Sequence, residues 1–516
     1  MNTLNEILLN EIPSLKEFGT KFLNKEVTKG DFKGFSGGFG VYAHRDGQHF
    51  MIRLRVSSGV LSVDKLTTIY ELAKKYNLEK IHLTTRQAIQ FHGLSIEDIC
   101  NVMKDALEHN IYTRGGGGNF PRNVALSPLS GVDKEEAFDV APYSIAVDNH
   151  FINKIYTYKL PRKLKVSFSN SLKDSAHCTV QDLGFVAVKK DNKNYFKVFL
   201  GGGLGRNPAL AVEFDELIEP KEVLYHVEAM TNLFINEGDY KNKGKARIRY
   251  IVERLGKEGF LNEYKKYLKL EKEKGNLDLN VTNFDYEKEG IETNIKHNRL
   301  FSQKQKGLYS VYFHPIGGQL YLKDLKLLLD ELKNIPKVMI RSTMTEGIYI
   351  LNLNGKEAEH ILKITENLGG ETKLEQSISC IGVPVCQMGV LDSQEVLTSI
   401  ITYFRNKNFK EDILPKIHIS GCPNSCGTHE IGSIGLVGKK KKVNEQLIDV
   451  VELHLGGKVT VGESKLGNNY GDIPKNKIPE LLYELALECS NNNSDFSTFM
   501  NNNENKLKEI VEKYTV

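Results

Sequence analysis

The sequence predicts an α/β (α+β) protein that is internally duplicated in the order A-B-A′-B′, with an approximate two-fold axis relating its halves. Three observations lead there. Met51-Ile-Arg-Leu-Arg-Val, followed by Ile81-His-Leu-Thr-Thr-Arg-Gln-Ala-Ile-Gln-Phe91, recurs at one constant spacing as Ser310-Val-Tyr-Phe-His-Pro and Ile340-Arg-Ser-Thr-Met-Thr-Glu-Gly-Ile-Tyr-Ile350. Each copy reads as a strand, a Gly turn, a helix and a further alternating strand. A second, different repeat then follows each first one. Leu160-Pro-Arg-Lys-Leu-Lys-Val-Ser-Phe-Ser169 resembles Leu414-Pro-Lys-Ile-His-Ile-Ser-Gly-Cys422 once Arg162 is counted as an extra residue, which sets Ser169 opposite Cys422.

In chain order, copy A places a helix at Leu66 to Lys75, and A′ places its counterpart at Leu325 to Lys333. Within B, Leu183-Gly-Phe-Val-Ala-Val188 and Phe199-Leu-Gly-Gly202 match Ile434-Gly-Leu-Val-Gly438 and His454-Leu-Gly-Gly457 of B′. Gly201-Gly-Gly-Leu-Gly-Arg206 lacks the register and the following acid of a dinucleotide loop, so it reads as a structural turn. Residues 255–300 mix acids and bases as a helical connection between the halves would. Lys439 to Lys442 reads as the solvated flank of a hairpin turn, and 491–516 as a loop-rich tail ending in a helix from Lys506 to Tyr514.

A chain of 516 residues exceeds one core and predicts several domains. Its 40% apolar and 26% charged content is that of an ordinary globular protein, and no apolar run approaches the roughly 18 residues of a membrane span. Met1-Asn-Thr-Leu-Asn-Glu has no basic and apolar leader, and seven cysteines is an odd count, so a reducing, cytoplasmic setting is expected. A net charge of +4 fits an acidic partner and gives no reason to expect nucleic acid.

Four cysteines fall in two tight pairs, Cys380-x5-Cys386 and Cys422-x3-Cys426. The second lies in Ser420-Gly-Cys-Pro-Asn-Ser-Cys-Gly427, where Gly and Pro force turns and free backbone N–H groups near sulfur. Four thiolates suit an iron–sulfur cluster or structural zinc, and C-x5-C lies outside the usual zinc spacing. The cluster is the leading reading, with zinc and unrelated cysteines as alternatives. Cys100 and Cys489 sit in helix-like patterns and read as core.

The copies diverge in charge. Arg53 and Arg55 share a strand face, as do Lys163 and Lys165; Arg86 follows Thr84-Thr85, and Arg122 follows the glycine run Gly115 to Gly118. In A′ the mates of Arg53, Arg55 and Arg86 are Tyr312, His314 and Thr345. Any one of these cations could be a surface ion pair. Gathered in one half of a duplicated chain whose other half carries the cysteines, they fit anion binding at a shared interface.

Taken together, Thr84-Thr-Arg-Gln…Gln-Phe-His-Gly93, Arg122-Asn-Val124, Leu160-Pro-Arg-Lys-Leu-Lys165 and Gly421-Cys-Pro-Asn-Ser-Cys426 resemble the sirohaem and [4Fe-4S] sulfite/nitrite reductase family over nearly the whole chain. The resemblance implies three domains around a central sirohaem–[4Fe-4S] site. Segments 45–112 and 307–372 would be ferredoxin-like half-domains forming one domain, 113–306 and 373–490 the two others, and 491–516 a tail. It implies that Cys380, Cys386, Cys422 and Cys426 hold the cluster, with Cys426 also bridging to the sirohaem iron. Arg53, Arg122, Lys163 and Lys165 would surround the substrate, while Thr84, Arg86, Gln90 and Asn424 would contact sirohaem. His82 departs from the pattern of related sulfite reductases, which carry Arg there to meet a sirohaem carboxylate; its mate Arg341 keeps an Arg.

The implied reaction is six-electron reduction of sulfite to sulfide, with ferredoxin as electron donor, since no flavin or nicotinamide domain is appended. Lys165 resembles the sulfite-reducing branch and Ser425 the nitrite-reducing one; the active-site lysine weighs more. Reduction of nitrite to ammonium is the alternative, and a non-catalytic sirohaem- or zinc-binding protein a remote one.

Overall fold

The computed structural model describes residues 3–516. Its four sheets have five strands each, and the repeat pattern explains how they form two matched pairs. Copy A supplies Val41–Ala43, Phe50–Leu54, Ile89–Leu94 and Lys80–Leu83 in that spatial order, and A′ supplies Leu300–Ser302, Leu308–Phe313, Ile348–Asn354 and Met339–Ser342. Each sheet is completed by the other copy. Gln319–Tyr321 of A′ pairs beside Lys80–Leu83, and Val60–Leu61 of A pairs beside Met339–Ser342. The registers obey the repeat: Gln319 faces His82, and its mate Val60 faces Arg341, the mate of His82. One hydrophobic core therefore runs through both A copies, joining residues such as Ile52, Phe91, Val311 and Ile350.

Local chemistry repeats with the fold. The helix Ile96–Glu108 starts on a capping box between Ser95 and Asp98, and its counterpart Gly355–Ile364 on one between Asn354 and Glu357. The predicted helices appear as Val63–Lys75 and Leu322–Leu332.

B and B′ each make a sheet whose first two strand pairings are parallel and last two antiparallel. Here the expected alignment needs correction. Val166 pairs with Leu183 in B, and Ile417 pairs with Ile434 in B′. Ser169 therefore corresponds to Ser420, Ser171 to Cys422 and Ser175 to Cys426. The reason is physical: parallel pairing fixes register, whereas a short repeat interrupted by an insertion does not. Matching left-handed residues confirm it, with Asp174 and Ser425 at φ 52° and 55°, and His177 and Thr428 at 58° and 57°.

Three further expectations change. The segment 255–300 is helical only to the end of Ile248–Lys274; from Gly275 to the strand at Leu300 it has no regular secondary structure. The tail forms two helices, Phe496–Asn502 and Glu504–Glu512, whose Phe496, Phe499, Leu507 and Ile510 are buried in the B′ core. Residues ahead of 45, which no predicted unit included, pack helix Leu4–Leu23 against Ile96–Glu108 and carry the edge strand Val41–Ala43. Lys439 and Lys440 flank a hairpin and pair with Asp472 and Asp449. Among the described residues no helix is long and apolar enough to cross a membrane.

Candidate active site

The Gly115 to Gly118 run organises the cations. Its glycines let the chain pass within reach of two guanidinium groups: Arg53 Nη1 donates to Gly116 O at 2.5 Å, and Arg122 Nη2 donates to Gly118 O at 2.8 Å. Gln90, across the sheet from Arg53, accepts from Arg53 Nη2 at 2.5 Å and Nε at 3.1 Å and donates to His92 Nε2 at 3.1 Å when its amide is oriented to satisfy both neighbours. Arg53 and Arg122 thus meet neutral acceptors, and their charge is left uncompensated. Arg55 turns toward the same loop but is neutralised by the buried Asp148 at 2.8 Å and donates to Pro121 O. It is a structural cation.

Lys163 and Lys165 flank Leu164 and make no side-chain hydrogen bond among the described residues. Burial, the mutual repulsion of the pair and Arg247 push Lys163 well below the usual lysine range. Burial, Arg86 and Arg247 bring Lys165 down to about 7, partly offset by Asp182. Both lysines feel the charge of Cys426 on the opposite domain. Arg86 is spent on protein: it donates to Asn123 O at 2.9 Å, Val166 O at 2.5 Å and Gln181 Oε1 at 3.2 Å, tying A to B. Thr84 Oγ1 caps the turn before Ala88.

The cysteine loops meet the other side. Gly421 N–H donates to Cys380 Sγ at 3.1 Å, and Ser393 Oγ lies 3.3 Å from it. Backbone N–H groups of Met388 and Gly389 approach Cys386, and Asn424 offers its backbone N–H and amide to Cys422. Burial and the Cys426 charge raise Cys380 to about 12 and Cys386 above its ordinary value, so the thiols sense one another. No three His, Cys, Asp or Glu among the described residues converge as ligands of a single ion. N–H donors at Cys380, Cys386 and Cys422 suit the sulfurs of an iron–sulfur cluster. Copy A reaches this loop directly: Thr85 Oγ1 donates to Cys426 O at 2.8 Å, and Arg45 Nη1 to Gly389 O at 2.8 Å.

The comparisons place this arrangement. The sequence model of the nitrite and sulphite reductase 4Fe-4S domain matches residues 117–272 and 370–514, and that of the nitrite/sulfite reductase ferredoxin-like half domain matches 42–109. The chain belongs to the nitrite and sulphite reductase family. An assimilatory ferredoxin-dependent nitrite reductase from Haloferax mediterranei is 24% identical over 87% of this chain and 81% of its own length. Sulfite reductase [ferredoxin] 1 of Mycolicibacterium paratuberculosis is 24% identical over 80% and 74%. The solved NirA protein of Mycobacterium tuberculosis shares the fold at a TM-score of 0.80, with 21% identity, over 98% of this chain and 97% of that one. The cofactors of the family are sirohaem and a [4Fe-4S] cluster. The residues here fit both, with four cysteines, three of them met by N–H donors, for the cluster, and a cation-rich pocket for a tetrapyrrole rich in carboxylates.

Motif reading singled out His82 but missed His44 and Tyr42. His44 Nε2 lies 3.3 Å from His92 Nδ1, and the buried His82 lies 3.1 Å from Gln319 Nε2. Burial, then Arg53 and Lys80, holds His82 down to about 3, so it is neutral beside the cations. Tyr42 lies against Gly118. Tyr42 on the edge strand Val41–Ala43 and His44 just beyond it stand alone in the sequence and carry no spacing signal.

The two-fold mate of the site is closed. Lys416 Nζ donates to Tyr312 Oη at 3.1 Å where Arg53 would stand. The extended segment after Lys274 sends in Tyr286, whose Oη donates to Asp139 at 3.0 Å and accepts from the fully buried Arg341 at 3.3 Å. Gly131 makes room for it, since a Cβ there would lie 2.1 Å from Tyr286 Oη.

Proposed function

We propose that this chain reduces sulfite to sulfide with six electrons from ferredoxin, binding the anion with Arg53, Arg122, Lys163 and Lys165. The observation that carries the reading is the charge balance. Two arginines meet only backbone oxygens on the Gly115 to Gly118 run and the Gln90 amide oxygen, and two lysines have no side-chain partner and feel the charge of Cys426. An oxyanion supplies the charge these groups lack.

In this reading Cys380, Cys386, Cys422 and Cys426 would hold the cluster, Cys426 would also serve the sirohaem, and Gln90, Asn424, Thr84 and Arg86 would line or brace the cofactor pocket. When bound, the coupled cofactors supply the electrons one at a time. The chain's own residues do the rest. Arg53 and Arg122 fix the anion oxygens and stabilise charge that grows on them. Lys165, brought near neutrality, can hold or release a proton at Nζ. The two A copies act as one body around which B and B′ close.

Ferredoxin fits the approach to Cys386. Lys33 acts on that thiol, Arg45 grips Gly389, and Met388 is 43% exposed beside them. A cytoplasmic location belongs to the same reading, because cluster thiolates need a reducing compartment.

Nitrite is the second reading, favoured by relatives named as nitrite reductases. Ser425, which resembles the nitrite branch, is occupied structurally: it sits at positive φ and its hydroxyl donates to the buried Glu430. Its identity therefore says little about the anion. Turnover of the cofactor-loaded protein with reduced methyl viologen decides. Faster sulfide formation supports sulfite, faster ammonium formation reverses the substrate, and no turnover of either overturns the function.

A further inference from the structure

We infer that Tyr42 is a further catalytic residue, its phenol giving a proton to an oxygen of the bound anion; the inference rests on the site proposed above. Tyr42 stands on the edge strand Val41–Ala43, in the segment that no motif marked. Its Oη accepts the Gly118 N–H at 3.0 Å, and the charges of Arg122 and Arg53 act on it. Those two arginines are the cations assigned to the substrate. Among the described residues the Tyr42 hydroxyl has no acceptor for its own proton. With its lone pairs engaged and its proton free, the group is arranged as a donor.

The packing enforces this placement. A Cβ on Gly117 would lie 2.5 Å from Tyr42 Oη and 2.3 Å from Gly37 O, and one on Gly37 would lie 3.2 Å from Tyr42 Oη. Side chains at either position would displace the phenol, so the glycines keep its slot open on both sides. Burial works against ionisation of the phenol, but Arg122, Arg53 and the Gly118 N–H outweigh it and leave Tyr42 below its ordinary value. A phenolate formed there is held by neighbouring positive charge.

Two electrons from ferredoxin enter as one S–O bond breaks. The Tyr42 O–H bond breaks and its proton joins the departing oxygen. A second proton, from Lys165, completes a water molecule. The phenolate, stabilised by Arg122, then regains a proton from solvent. With nitrite as substrate the bond is N–O and the bookkeeping is the same.

The test uses the cofactor-loaded full chain driven by reduced methyl viologen. Tyr42→Phe is expected to lower kcat about 100-fold, in the range of a lost general acid, with KM and the visible spectrum unchanged. Replacing Tyr42 with 3-fluorotyrosine, whose phenol is more acidic but nearly the same size, is expected to move an alkaline limb of kcat to lower pH. A Tyr42→Phe variant within twofold of wild type, or a limb that stays in place with fluorotyrosine, overturns the role. A fall in kcat accompanied by an altered visible spectrum also overturns it, by showing that Tyr42 shapes the pocket instead. Wild-type turnover separates the claims. If the wild type turns over and Tyr42→Phe matches it, only the role of Tyr42 fails; if the loaded wild type reduces neither anion, the site reading fails with it.

Discussion

Asp182 and Arg247 form a buried ion pair directly behind the substrate lysines. Arg247 Nη2 lies 2.9 Å from both carboxylate oxygens, Nε lies 3.2 Å from Oδ1, and Asp182 also accepts the backbone N–H of Lys165 at 2.9 Å. The pair joins the start of the long helix Ile248–Lys274 to the strand that positions Lys165. Asp182→Asn leaves Arg247 buried without its counter-charge, and the expected loss of stability is about 3–5 kcal/mol, read by denaturant unfolding. It also removes the carboxylate that supports the charged form of Lys165, so any alkaline limb of activity set by that lysine should move to lower pH.

Lys165 itself sets a pH dependence. Its charged form is the one that holds an anion and can give a proton, and burial with Arg86 and Arg247 nearby brings its pKa down to about 7. The charge is present below that value and lost above it. kcat/KM for sulfite is therefore expected to fall as pH rises through about 7. Lys165→Arg should abolish this limb, because a guanidinium stays charged. Lys165→Asn should shift the sulfite-to-nitrite preference toward nitrite; an unchanged ratio of the two kcat/KM values would remove the reason for preferring sulfite.

The cysteines can be told apart optically. Cys380→Ser should prevent assembly of the cluster and abolish its visible absorption. Cys426→Ser should disturb both the cluster and the sirohaem bands, since that thiol is assigned to both. Intact bands from both chromophores in Cys426→Ser would refute the bridging role.

The closed mate of the site makes a separate prediction. Tyr286 packs against Val132 and Leu351 while bridging Arg341 and Asp139. Tyr286→Ala should cost about 3–5 kcal/mol, as other buried aromatic truncations do. Tyr286→Phe keeps the ring and loses the bridge, at a cost of about 1 kcal/mol. Thermal unfolding of the two variants would rank them in that order. An equal loss in both would show that the hydroxyl, not the ring, does the filling.

Much was legible along the chain because its signals are local. The A repeat keeps one spacing over its strands and helices, so its helices and the correspondence of His82 with Arg341 could be read directly. The cysteine pairs, the glycine run and the lysine pair are short motifs in which spacing alone carries the chemistry. The B repeat was misread by two residues because it is brief and interrupted, and only the pairing of Val166 with Leu183 and of Ile417 with Ile434 sets it. Arg55 read as one more cation beside Arg53, yet Asp148 neutralises it, and Arg86, read as a sirohaem contact, is also braced by the main-chain oxygens of Asn123 and Val166. Those partners lie far away in sequence, so no window could contain them.

The sequence by itself determined the duplication, the two cysteine pairs and the half of the chain that keeps positive charge, since each rests on residue type and spacing. Only the tertiary structure decided how the halves join, which cations remain uncompensated, that Tyr42 reaches the site, and that Tyr286 closes its mate. Strand exchange, ion pairing and packing depend on contacts between distant segments, and such contacts exist only once the backbone has brought them together.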